Sequence, residues 1–229
     1  MEARESKGSG VAAVIFDMDG VLVDSEAVWD DVRKRFVEEK GGHWRDEAQR
    51  DMMGMSSTEW SRYVRDRLGV AMEPDQISSE VADRVADVYR ERLPLLPGAV
   101  ESVRSLGREW PLAVASSSNR HVIDLVLDLA DIADAFGVTV SSEEVGAGKP
   151  APDVYLEAAK RLGVDPSACV AIEDSTNGIR SAHAAGMAVI AVPNQDFPPE
   201  SAALELAALT LDSLTELSPE RVRAAQSGK

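Results

Sequence analysis

Short, continuous apolar runs recur along the chain at residues 11–16, 112–115, 138–140, 168–172 and 188–192, with a weaker one at 208–211. Between the later runs lie segments whose apolar positions repeat at helical spacing, over 120–129, 153–162, 179–185 and 199–206. Apolar runs that do not alternate with polar residues suit parallel strands covered on both faces. Strand–helix–strand alternation then predicts an α/β fold with a doubly wound, Rossmann-like parallel sheet. One stretch breaks the rhythm. From about 28 to 94 there is no strand pattern, only three helical stripes. Val28, Val32, Phe36 and Val37 form the first. Trp60, Tyr63, Val64 and Leu68 form the second, stopped by Gly69. Val81, Val85, Val88 and Tyr89 form the third, bounded by Pro74 and by Pro94 and Pro97. This stretch is too long for a crossover and too patterned for a loop. The expected organisation is a disordered tail over 1–10, an α/β core over 11–27 and 95–229, and an inserted helical cap over 28–94. Hinges are expected near Ser25 and 94–97.

In open α/β sheets, ligands gather outside the carboxyl ends of the strands. The first run stops at Asp17-Met18-Asp19-Gly20, two carboxylates spaced i and i+2 and therefore on one side of an extended chain. The second run is followed by Ser116-Ser117-Ser118-Asn119, the third by a loop ending Gly148-Lys149-Pro150, and the fourth by Glu173-Asp174-Ser175. Each strand end delivers small polar or charged residues to one edge, so an isolated acidic turn at Asp17–Asp19 is the weaker reading.

Composition narrows the partners. The formal net charge of −16 over 229 residues argues against a nucleic-acid or anionic-membrane surface, since both need basic patches. No run approaches the roughly 18 apolar residues of a membrane span. The polar first ten residues lack the apolar centre of a signal peptide. The single cysteine, Cys169, lies in an apolar run and reads as a small core residue. A cytoplasmic protein, monomeric by default, is expected.

Asp17, Asp19, Glu173 and Asp174 would gather at one point, an unfavourable cluster unless a cation neutralises it. An all-oxygen set with no nearby cysteine or histidine favours magnesium over zinc. Lys149 adds a positive charge, and Ser116 adds a hydroxyl ahead of a helix N-terminus suited to an anion. Together these parts suit phosphoryl transfer. There is no Gly-x-x-x-x-Gly-Lys-Ser/Thr loop and no Gly-x-Gly-x-x-Gly after the first run. A serine nucleophile at Ser118 activated by His121 stays open at this stage; His43 and His183 read as surface or packing residues.

The motifs Asp17-Met18-Asp19-Gly20-Val21-Leu22-Val23-Asp24-Ser25, Ser116, Gly148-Lys149-Pro150-Ala151-Pro152-Asp153-Val154-Tyr155 and Glu173-Asp174-Ser175-Thr176-Asn177-Gly178 resemble, in order, the four motifs of the haloacid dehalogenase (HAD) superfamily. The helical insertion resembles that family's small α-helical cap, and the likeness runs from about 11 to 217. The resemblance implies that Asp17 is the nucleophile, becoming an aspartyl phosphate, and that Asp19 is the acid and then the base. It implies that Ser116, with Ser117, and Lys149 hold the phosphoryl group. It also implies that magnesium sits on Asp17, the Asp19 main-chain carbonyl, Glu173 and Asp174.

Within the family, dehalogenases lack an acid at the place of Asp19, and phosphonate hydrolysis uses a cap lysine, whereas Lys34 and Lys40 read as solvated charges. The β-phosphoglucomutases carry a cap histidine and arginine whose places fall on Trp29 and near Ser57. The expected activity is therefore a magnesium-dependent phosphatase acting on a small phosphorylated metabolite, a sugar phosphate. Trp29, Gly54 and Ser57 are the expected cap residues for substrate. The alternatives are a β-phosphoglucomutase-type isomerase and a non-catalytic binding protein on the same fold.

Overall fold

The computed structural model describes residues 10–228 apart from Gly54. The tail expected over 1–10 lies outside the described residues but for Gly10, and so does the expected substrate residue Gly54. Six parallel strands form one sheet: β1 (Ala13–Phe16), β2 (Leu112–Ser116), β3 (Phe136–Ser141), β4 (Cys169–Glu173), β5 (Ala188–Ala191) and β6 (Leu209–Thr210), in the order β3-β2-β1-β4-β5-β6. The sheet is wound in both directions from its middle, and the direction reverses between β1 and β4. That is the switch point where such sheets open a crevice.

The strands are apolar throughout because both faces are covered. Ala13, Ile15, Ala113, Ala115, Ala171 and Val189 point to one face, where they meet α7 (Asp153–Leu162) and α8 (Thr176–Ala184). Val14, Phe16, Val114, Val170, Ile172 and Ile190 point to the other, where they meet α5 (Ala99–Leu106), α6 (Arg120–Leu129) and α10 (Pro219–Ser227). The period of two along each strand thus feeds two separate apolar layers.

Between β1 and β2 lie four helices, α1 (Glu26–Glu39), α2 (Ala48–Met52), α3 (Ser57–Leu68) and α4 (Pro74–Glu91). They pack on one another through Trp29, Val32, Phe36, Trp60, Val64, Leu68, Val81 and Val85, and α4 also rests on α6. The helical segment leaves and rejoins the core through two adjacent linkers. Asp24 N–H donates to the Pro94 carbonyl at 2.8 Å, Leu96 N–H donates to the Leu22 carbonyl at 3.0 Å, and Val23 and Leu95 form an antiparallel bridge.

Several expectations shift. Helix α1 starts at Glu26, so a division after residue 27 would cut its first turn, and Ser25 is the residue that precedes the helix. Helix α2 is five residues long, too short to show a periodic pattern. The helix expected over 199–206 is only α9 (Ser201–Leu204), because Pro198 and Pro199 restrict the backbone before it. In the third stripe Val88 faces solvent, while Ile77, Ala82 and Ala86 are buried. Among the described residues, no helix is long and apolar enough to cross a membrane.

Candidate active site

Strand β1 ends at Phe16, but its ladder continues one step further, with Asp17 N–H donating to the Ile172 carbonyl of β4 at 3.0 Å. The chain then turns tightly: the Met18 carbonyl accepts the N–H groups of Val21, Leu22 and Val23. Gly20 takes a positive φ of 76° in this turn, and a Cβ there would fall 2.0 Å from Asp174 Oδ2. Only glycine fits both demands. The β1 turn therefore brings Asp17 against Asp174 at the end of β4.

Lys149 joins the two strands from behind. It is almost fully buried, and its ammonium donates to Asp17 Oδ1 at 3.0 Å and to Glu173 Oε1 at 2.6 Å, over the Tyr155 ring. Burial works against its charge, but Asp17 and Glu173 outweigh that and hold the ammonium above its ordinary range. The Tyr155 hydroxyl donates to the same Glu173 oxygen at 2.7 Å. Glu173 Oε2 accepts from the Asp174 and Ser175 N–H groups and from the Ser175 hydroxyl. Both Glu173 oxygens are thus engaged, and a Cβ at Gly178 would fall 1.9 Å from its carboxylate.

Asp17 Oδ1 also accepts the Met18 N–H at 2.7 Å, while Oδ2 has no hydrogen bond among the described residues. Burial pushes the Asp17 carboxyl up to about 8, with Glu173 and Asp19 adding to the rise and Lys149 opposing it. Burial, then Glu173 and Asp17, push Asp174 well above the usual carboxylate range. Asp17, Glu173 and Asp174 each offer an oxygen within 4.8 Å of the others. Three crowded, buried carboxylates with one lysine fit a hard dication, whose charge would offset the burial that raises Asp17 and Asp174. The Asp19 side chain is not part of this cluster. It accepts from Ser118 Oγ at 2.7 Å, from Ser116 Oγ at 3.3 Å and from the Trp29 indole N–H at 3.3 Å.

These groups open into a cavity of about 530 Å³. The core wall is Asp17, Asp19, Ser117, Ser118, Lys149 and Asp174, and the facing wall carries Trp29, Arg33, Arg50 and Trp60 from the inserted helices. Ser116 is fully buried behind the wall, with its hydroxyl accepting from Ser118 N–H, so of the three serines after β2 it is Ser117 and Ser118 that reach the space. Ser57 does not line this cavity; it faces a smaller hollow with Ser78, Asn119 and Glu143. None of the three histidines lines the cavity. His121 Nε2 lies 3.3 Å from Asp83 while the Ser118 hydroxyl donates to Asp19, so those two residues are not a nucleophile–base pair. Lys40 pairs with Glu80, and neither it nor Lys34 reaches the cavity.

The profile of the haloacid dehalogenase-like hydrolases matches residues 11–186, which hold every one of these core groups. The chain belongs to that family. This hydrolase is 36% identical over 228 residues to hexitol phosphatase B of Escherichia coli (strain K12), covering 91% of this chain and 95% of the relative. It is 33% identical over 178 residues to a phosphorylated carbohydrates phosphatase of Thermotoga maritima, covering 76% of this chain and 82% of the relative. Among solved structures, a CbbY variant from Rhodobacter sphaeroides in complex with xylulose-(1,5)bisphosphate superposes with a TM-score of 0.83 at 26% identity, covering 93% of this chain and 99% of that one.

In this hydrolase three groups that contact the site, Tyr155, Arg33 and Arg50, carry no role in the sequence pattern, and Ser118 takes a different one. Ser118 and Tyr155 touch Asp19 and Glu173 from other elements, and Arg33 and Arg50 enter from the inserted helices. The loop at Asp196 and Phe197 closes one side and carries no motif.

Proposed function

We propose that this protein is a magnesium-dependent phosphatase that hydrolyses a small phosphorylated metabolite, a sugar or polyol phosphate, through an aspartyl phosphate on Asp17. The reading is carried by the juxtaposition of Asp17, Lys149 and Asp174 at the switch point, beneath a cavity with room for a hexose-sized leaving group. Asp17 and Asp174, with the Asp19 main-chain carbonyl, would hold the ion, and Glu173 keeps Lys149 in place behind them. When bound, magnesium offsets the charge that develops on the phosphoryl oxygens.

The chain's own groups divide the chemistry. Asp17 Oδ1 is tied to Met18 N–H and Lys149, which leaves Oδ2 to attack phosphorus. As the bond from phosphorus to the leaving oxygen breaks, Asp19 gives that oxygen a proton. Asp19 then takes a proton from water, the water oxygen bonds to phosphorus, and the bond to Asp17 breaks, releasing inorganic phosphate. Lys149 and the Ser117–Ser118 wall receive the phosphoryl oxygens, and Ser116 supports that wall from behind through Ser118 N–H. Helices α1–α4 serve as a cap that excludes water while the leaving group is present.

A mutase needs a cap group that holds back water until a second acceptor arrives. Arg33 and Arg50 do reach the cavity, so the lack of an arginine near Ser57 no longer weighs against that alternative. Trp29 still does, because an indole N–H does not titrate near neutral pH and so cannot do the acid–base work of a histidine, and here it donates to Asp19. The test is phosphate release from a panel of monoesters with and without magnesium, beside Asp17→Asn. Magnesium-dependent release by the wild type and none by the variant is expected; equal release by both would sink the reading.

A further inference from the structure

Arg33 stands one helical turn beyond Trp29 on α1 and lines the same cavity, yet nothing in the phosphoryl chemistry uses it. Its guanidinium carbon lies 4.9 Å from the centre of the Trp29 ring and 4.7 Å from that of Trp60. The two indoles, 6.1 Å apart and inclined at 63°, flank it. Its Nε is buried without a hydrogen-bond partner, and the side chain makes no ion pair among the described residues. Burial lowers its proton affinity to about 10, and Glu26, Asp19 and Asp30 oppose that fall. Folded proteins leave few buried donors unsatisfied, and one on a side chain that lines a cavity points to a polar guest there.

The chemistry of that surface selects the guest. A guanidinium held by two indoles is a rigid fork of donors. Glu26, on the same wall, is an acceptor. A hydroxyl can accept from the one while donating to the other, and indole faces suit the C–H surface of a sugar or polyol. A second phosphate or carboxylate would meet Glu26 and Asp19 as well as the one guanidinium, an unfavourable balance. The Trp29 indole N–H touches Asp19, so the leaving oxygen that Asp19 protonates emerges beside this wall.

We infer that Arg33 is the specificity-determining residue of the site, reading with Glu26 the neutral hydroxyls of a polyol or sugar leaving group and disfavouring a leaving group that bears a second anion. The inference rests on the phosphatase reading and is tested apart from it. Wild type, Arg33→Met and Arg33→Lys are compared by kcat/KM on a hexitol monophosphate, on phenyl phosphate and on phosphoglycolate. For Arg33→Met, the ratio of hexitol phosphate to phenyl phosphate should fall about 10- to 100-fold, the worth of one or two charge-assisted hydrogen bonds. Arg33→Lys, which keeps the charge and loses the fork, should recover part of that ratio. A ratio within about twofold of wild type in both variants would overturn the inference, as would a wild type that prefers phosphoglycolate. If the wild type hydrolyses none of the three, the phosphatase reading fails. Calorimetric binding of the hexitol monophosphate to wild type and Arg33→Lys then decides Arg33 separately, with equal affinities counting against it.

Discussion

Gly20 and Lys149 show how little latitude the site leaves at single positions. Gly20→Ala would place a methyl on the Asp174 carboxylate and force a side chain onto a backbone at φ 76°. It should cost about 1–3 kcal/mol in urea unfolding and remove most of the activity, since Asp174 must move; a variant matching wild type in both would show that the turn yields freely. Lys149→Met leaves Asp17 and Glu173 buried without their cation, at a cost of about 3 kcal/mol by the same measurement. Asp17, Asp19, Glu173 and Asp174 were legible in the sequence because they closely follow apolar runs, and Lys149 because it closes the loop after the third run. Tyr155, Arg33 and Arg50 were not, because they sit within helices, away from the strand ends where polar residues stand out. The spacing of Trp29 and Arg33 held a usable signal. An arginine four residues after a tryptophan lies on the same helical face, here the buried one that also carries Val32, Phe36 and Val37.

At the scale of elements, the strands were read to within a residue or two because buried parallel strands are continuously apolar. Short helices were not, since α2 and α9 offer too few residues for a 3.6-residue period to emerge. One joint between elements has a pH signature. Glu144, after β3, is paired with Arg120 at the start of α6 and with Arg161 at the end of α7, and it accepts from Ser141 N–H. Burial works upward on its carboxyl, but Arg120, Ser141 and Arg161 together hold it down to about 2, against an ordinary 4.5. A carboxyl depressed in the folded state stabilises fully above its unfolded value and loses that contribution as pH falls through the folded one. Glu144→Gln should therefore cost about 1–2 kcal/mol at pH 7, with roughly half or less of the gap remaining at pH 3. Urea midpoints at both values measure it, and a constant gap would remove the ion pairs from the account.

At the scale of the whole molecule, the acidic cluster that could hold a dication and the inserted helices are the two parts with the widest reach. Magnesium at about 100 times its Kd should stabilise the fold by about 2.7 kcal/mol, read as a rise in Tm. Asp174→Asn should abolish the rise, and a rise of equal size in the variant would place the ion elsewhere. Cap closure over a bound phosphate-transition-state mimic should reduce the radius of gyration in solution scattering, and superimposable curves would argue for a fixed cap. The two linkers that join cap to core carry a further consequence. Because the chain leaves at Asp24 and returns at Pro94 as neighbours, held by backbone hydrogen bonds, the sheet feels only a closed joint there. Whatever lies between those two points is exchangeable in principle: a different helical module, longer or shorter, could be spliced across the same joint without altering the register of β1 against β2. Selection for a new leaving group would then act on one contiguous block of the gene, while Asp17, Lys149 and Asp174 stayed in place.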